Sequence, residues 1–126
     1  MVNGTIAFDT LQTSGQITST AKSLDTDYIV SGSAKVWCNH TSGAVINDSL
    51  NTSSVTDQAT GSHDTNITNA MSNALYSCYC GAFGTSGKNF GTVRTASASV
   101  YRSNIYDDGG TATDRTVVNS VQGDLA

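Results

Sequence analysis

Apolar and polar residues alternate along most of this chain, in short runs. From Ser33 to His40, Ala34, Val36 and Cys38 fall on one side of an extended backbone and Lys35, Trp37 and Asn39 on the other. A two-residue period is that of a strand, whose successive side chains point to opposite faces. Thr41-Ser42-Gly43 predicts a hairpin turn, and Ala44 to Leu50 a returning strand. Asn51 to Gly61 reads as a Ser/Thr-rich loop with Val55 as an inward anchor. His63, Thr65 and Ile67 share one face of a third strand. Asn69 to Asn73 reads as a wide connection or one helical turn, and Leu75 to Gly81 as the next strand. Gly84 to Gly91 is a glycine-rich loop, followed by local pairing at Val93 to Thr95. Ala98, Val100, Arg102 and Asn104 alternate with Ser99, Tyr101, Ser103 and Ile105, a strand covered on both faces. Asp107-Asp108-Gly109-Gly110 is a turn. Thr116 to Val121 is a last strand with Val117 and Val121 inward.

The pattern sums to about six or seven strands at roughly eight-to-twelve-residue spacing, the signature of a sandwich or small barrel. No stretch carries the 3.6-residue period of a helix. The expected fold is therefore all-β, an antiparallel, jelly-roll-like β-sandwich over residues 33–126. Residues 1–32 contain one plausible strand, Thr5 to Gln12, and few large apolar side chains. They read as an extended N-terminal arm that pairs with another surface during assembly.

Composition sharpens this picture. Ser, Thr and Asn number 17, 18 and 10 among 126 residues, Glu and Pro are absent, and all ten acids are Asp. Asp favours turns and caps over helix interiors. With only 37% hydrophobic residues, the core is marginal for a free monomer, and self-association is a usual remedy. A net charge of −4 without a basic cluster argues against nucleic acid as a partner. No apolar run reaches membrane-spanning length, so no membrane insertion is expected. MVNGTIAFDT lacks the basic and apolar regions of a secretory leader.

Candidate chemistry is sparse. Cys38, Cys78 and Cys80 read as reduced, buried small hydrophobes. Cys78 and Cys80 share a strand face, but a C-x-C pair lacks the usual zinc spacing. His40 and His63 are a candidate metal or acid–base pair that reads more simply as structural. Asp25, Asp27, Asp107 and Asp108 carry oxygen ligands suited to calcium but match turn chemistry. Neither G-x-S-x-G nor a phosphate-binding loop occurs. Trp37, Tyr76, Tyr79, Tyr101 and Tyr106 are candidates for a sugar-stacking platform or for core and interface packing, and Trp37 in particular reads as a structural residue buried in the fold or at a subunit contact. No catalytic, cofactor-binding or metal residue is assigned, no cofactor is expected, and the chain does not read as an enzyme.

Several blocks carry a resemblance. GSAKVW (Gly32 to Trp37), INDSLNTSSVTD (Ile46 to Asp57), ATG (Ala59 to Gly61), ITNAMSNALYS (Ile67 to Ser77) and GDLA (Gly123 to Ala126) are together similar to small virion structural proteins of tailed bacteriophages of aquatic and cyanobacterial hosts, described as tail-fibre-like or virion surface proteins. The resemblance covers roughly three quarters of the chain. It departs at His63 and Thr65, where the family carries aromatic or aliphatic inward residues. It implies a β-rich homotrimer displayed on a virion assembled in the host cytoplasm. The arm would contact other virion proteins, and host surface glycans would be a further partner. Within this class a capsid decoration protein is the alternative to a tail-fibre component, and a carbohydrate-binding module is the alternative from another class.

Overall fold

A computed structural model describes residues 32–84 and 88–126. The proposed arm, its Thr5–Gln12 strand, and Asp25 and Asp27 lie outside these residues. The described chain forms eight strands: β1 (Ala34–His40), β2 (Ile46–Leu50), β3 (Thr52–Ala59), β4 (Ser62–Ile67), β5 (Ser77–Phe83), β6 (Phe90–Ser97), β7 (Val100–Tyr106) and β8 (Thr116–Gln122). All pairings are antiparallel. One sheet has the order β2-β1-β8-β5 and the other β3-β4-β7-β6, so the expected antiparallel β-sandwich is the fold. Consecutive hairpins β1–β2, β3–β4 and β6–β7 are joined across the sequence by β1·β8, β5·β8 and β4·β7.

Alternation sets which residues enter the interior. On the first sheet, Val36 lies opposite Val121, Cys38 opposite Asn119 and His40 opposite Val117. Cys78, Cys80 and Ala82 extend these rows on β5. On the second sheet, Thr65 pairs with Tyr101 and His63 with Ser103. Val36, Ile67, Met71, Tyr76, Tyr101 and Val121 pack as one apolar cluster, and Cys80, Ile105 and Val117 as another. Gly91 lets the two edges β5 and β6 meet, because a Cβ there would lie 2.8 Å from Cys80 Sγ.

Two elements differ from the sequence expectation, and a third is resolved between its two readings. Residues 52–59, read as a loop, form β3. Its Ser/Thr-rich sequence buries no side chain fully, and backbone pairing with β4 makes it a strand. β6 runs eight residues where only Val93 to Thr95 were expected to pair. The 69–73 segment forms no helix; it is a connection anchored by a Met71–Leu125 bridge.

The corner between β2 and β3 is a single residue, Asn51, with φ of 55°, a left-handed conformation that Asn tolerates better than most residues. Its amide donates to the carbonyls of Lys35 (3.2 Å) and Asn69 (3.1 Å), and its Oδ1 accepts from the Asn69 amide at 2.7 Å. Asn51 thus ties β1, the corner and the 69–73 connection together. Asn51→Ala is expected to destabilise the fold by about 2–4 kcal/mol, from lost hydrogen bonds and an unfavourable φ. Asn51→Gly relieves only the φ strain, so it should fall between Ala and wild type in a denaturant melt.

Candidate functional site

The interior is unusually polar. Among the described residues ten apolar and five polar side chains are buried, the polar ones being His40, His63, Thr65, Ser103 and Asn119. His63 and Thr65, the two departures from the resembled family, are completely enclosed. The sandwich therefore accommodates polar groups where aliphatic packing was expected.

His40 and His63 pack ring against ring, tilted by 55° with their centroids 4.9 Å apart. They are 23 residues apart on strands of different sheets, and only sheet-on-sheet packing brings them together. A carbonyl oxygen can only accept, so the contact of His40 Nδ1 with Thr41 O (2.9 Å) fixes the proton on Nδ1. The contact of His63 Nε2 with Ser42 O (3.0 Å) fixes that ring's proton on Nε2. The remaining ring nitrogens, His40 Nε2 and His63 Nδ1, are buried and have no partner among the described residues. Burial pushes the His40 pKa down, opposed by its Thr41 hydrogen bond and reinforced by the neighbouring ring. Burial thus favours the neutral form of His40, and both rings are completely enclosed.

The cysteines are free thiols facing the interior. Burial raises Cys38 and Cys78 to about 11 and Cys80 to about 12, so they stay protonated and unreactive near neutrality. Among the described residues no three His, Cys or Asp side chains converge as metal ligands. Asp107 caps its own turn, its Oδ1 accepting from Gly109 N (2.9 Å) and Thr111 N (2.8 Å).

The five aromatic residues do not form one platform. Tyr101 is fully enclosed, and Tyr76 is buried with its hydroxyl donating to the carbonyls of Ser97 and Val100, both at 2.8 Å. Burial lifts the Tyr76 hydroxyl to about 12. Tyr106 lies on the second sheet, pointing away from the interior. Trp37 and Tyr79 alone share a surface, the outer face of the first sheet. Trp37, expected to be buried, is half-buried within the single chain.

That outer face is the candidate functional surface. Register places Leu50, Trp37, Ser120 and Tyr79 side by side across β2, β1, β8 and β5. At roughly 4.8 Å per strand, Trp37 and Tyr79 stand about 10 Å apart with Ser120 between them. Leu50 is 48% and Tyr79 70% exposed. The next row, Asn39, Val118 and Gly81, continues the surface with only one apolar side chain. The outer face of the second sheet is different in kind. There Arg102 makes a two-pronged ion pair with Asp64 across the β4·β7 pairing, at 2.5 and 2.6 Å, which suits a solvated face. Sequence alternation set Trp37 on the face opposite Ala34, Val36 and Cys38, but only the register revealed its row with Leu50 and Tyr79.

No protein-family model, curated protein or solved structure matches the chain. The described residues form a β-sandwich with one apolar row across the outer face of its first sheet.

Proposed function

We propose that this chain is a non-enzymatic structural protein of a bacteriophage virion, a tail-fibre-like module displayed on the particle surface. In this reading the sandwich self-associates as a homotrimer through the outer face of β2-β1-β8-β5, and residues 1–32 serve as the assembly arm. The observation that carries the reading is the Leu50–Trp37–Ser120–Tyr79 row, an apolar strip on a domain whose interior is one-third polar. Burying such a strip against a neighbour stabilises at about 25 cal/mol per Å² of apolar surface removed from water. That supplement matters most where the internal core is thin. The sequence blocks similar to virion surface proteins support the same conclusion. A structural role also suits the interior chemistry, with protonated thiols and an enclosed histidine pair.

Proteomic analysis and surface labelling of purified phage particles test the placement. The chain is expected in the particle and accessible to antibody on its exterior. Its presence in infected cells but absence from intact particles would refute the reading. Replacing Leu50 and Tyr79 together by Lys is expected to leave the thermal melt of the isolated fold nearly intact while blocking association. Both side chains lie on the surface, so neither substitution opens a cavity.

A further inference from the structure

A second feature lies at the end of the sandwich, away from the apolar strip. Ser42, Phe83, Gly84, Asp114, Arg115 and Thr116 line a cleft of about 380 Å³, within the size range of small-molecule sites. These residues come from three places: the β1–β2 turn, the end of β5, and the approach to β8.

Two of the three walls are held by contacts behind them. Ser42 is fixed through its carbonyl, which accepts from His63 Nε2. Asp114 is fixed through Oδ1, which accepts from the Gly61 amide at 2.5 Å. Gly61 is itself held in a left-handed turn (φ 70°), where a Cβ would lie 2.5 Å from Ile105 O. Arg115 is fixed at two points, Nε donating to Asn89 Oδ1 (3.2 Å) and Nη1 to the Asp114 carbonyl (2.9 Å). Preorganised walls of this kind reduce the ordering that a ligand would otherwise have to impose.

What these contacts leave available defines the ligand. Arg115 Nη2 remains as a donor and Asp114 Oδ2 as an acceptor, neither hydrogen-bonded among the described residues. The Ser42 and Thr116 hydroxyls supply both functions. Phe83 is 60% exposed and offers a flat apolar surface at the rim. One guanidinium beside one carboxylate gives no net field for a phosphate or a nucleic acid. A single carboxylate is too few for a hard cation, and the open, polar lining does not suit a lipid. An aromatic plane next to interspersed donors and acceptors matches a sugar ring, which has an apolar C–H face and a rim of hydroxyls.

We infer that this cleft is a carbohydrate-binding site, with one pyranose stacked on Phe83 and its hydroxyls shared between Arg115 and Asp114. The site uses none of the residues of the Trp37–Tyr79 strip, and the inference holds whether or not the module is carried on a particle.

Titration of the isotope-labelled full-length protein with methyl β-glucoside, methyl β-galactoside, N-acetylglucosamine and glucuronate, followed by amide chemical shifts, tests it. At least one probe is expected to shift Gly84, Arg115 and Thr116 saturably, with Kd on the order of millimolar. Phe83→Ala, a surface change that leaves the melt unaltered, is expected to weaken that binding by about tenfold. Tyr79→Ala is expected to leave it unchanged. Three results would overturn the inference: no saturable shift with any probe at tens of millimolar, binding unaffected by Phe83→Ala, or binding lost in Tyr79→Ala. Particle proteomics reads the virion assignment separately, so the two ideas fail independently.

Discussion

Tyr101→Ala is expected to remove much of the stability of the sandwich. Tyr101 is the largest fully buried side chain among the described residues, and it packs with Val36, Ile67, Met71, Tyr76 and Val121. It sits on β7, between β4 and β6, and reaches toward the three cysteines of the opposite sheet. Truncating an enclosed aromatic to Ala costs about 3–5 kcal/mol through lost transfer energy and the cavity left behind. Domains of this size are stable by only about 5–15 kcal/mol, so the variant should lose a large share of its stability and melt well below the unaltered chain. The hydroxyl is a separate matter. It is buried with no well-aligned hydrogen-bond partner among the described residues, and its one polar neighbour is the Thr65 hydroxyl. Tyr101→Phe removes a desolvated polar group and keeps the ring, so it should be neutral or mildly stabilising. Denaturant melts of the two variants separate ring packing from hydroxyl chemistry. A Tyr101→Phe variant as unstable as Tyr101→Ala would show that the hydroxyl has a partner this account lacks.

Mild acid is expected to destabilise the fold through the enclosed histidine pair. His40 is held below its ordinary value of 6.5, with desolvation as the largest cause. The unfolded chain therefore takes up a proton at a pH where folded His40 does not. Stability from this residue is intact above about pH 6.5 and is lost as pH falls from there through the lower folded value. A second proton would have to sit on His40 Nε2, enclosed against the His63 ring with no acceptor among the described residues. Thermal melts at about pH 7.5 and pH 5 check this, because Asp side chains remain mostly ionised across that interval. Tm should be lower at the acid end, and His40→Phe, which keeps a ring but takes up no proton, should flatten the dependence. An acid-insensitive wild type would show that the pair is not enclosed in solution.

The two effects share an origin that the sequence only partly reveals. β1, β4 and β8 were legible because large or distinctive inward residues recur every second position: Val36 and Cys38, His63 and Ile67, Val117 and Val121. β3 was not legible. Its sequence TSSVTDQA has one apolar side chain at a half-buried position, and the strand exists through backbone pairing to β4. Asn51 looked like the first residue of a loop, but its left-handed φ and three hydrogen bonds make it a corner between strands. The histidines were visible individually, while their contact depends on how two sheets stack. The end cleft was invisible for the same reason, since Ser42, Phe83 and Arg115 come from distant segments. Local period reports which face a residue occupies, and partners across the sandwich follow from strand order, which short polar strands do not encode locally.

The central claim is that the apolar row on the first sheet joins copies of this chain. Light scattering of the full-length protein at micromolar concentration measures this directly. The account predicts a particle of three times the 13.0 kDa chain mass, reduced to a folded monomer when Leu50 and Tyr79 are both replaced by Lys. A stable, folded monomer of the unaltered chain would contradict it.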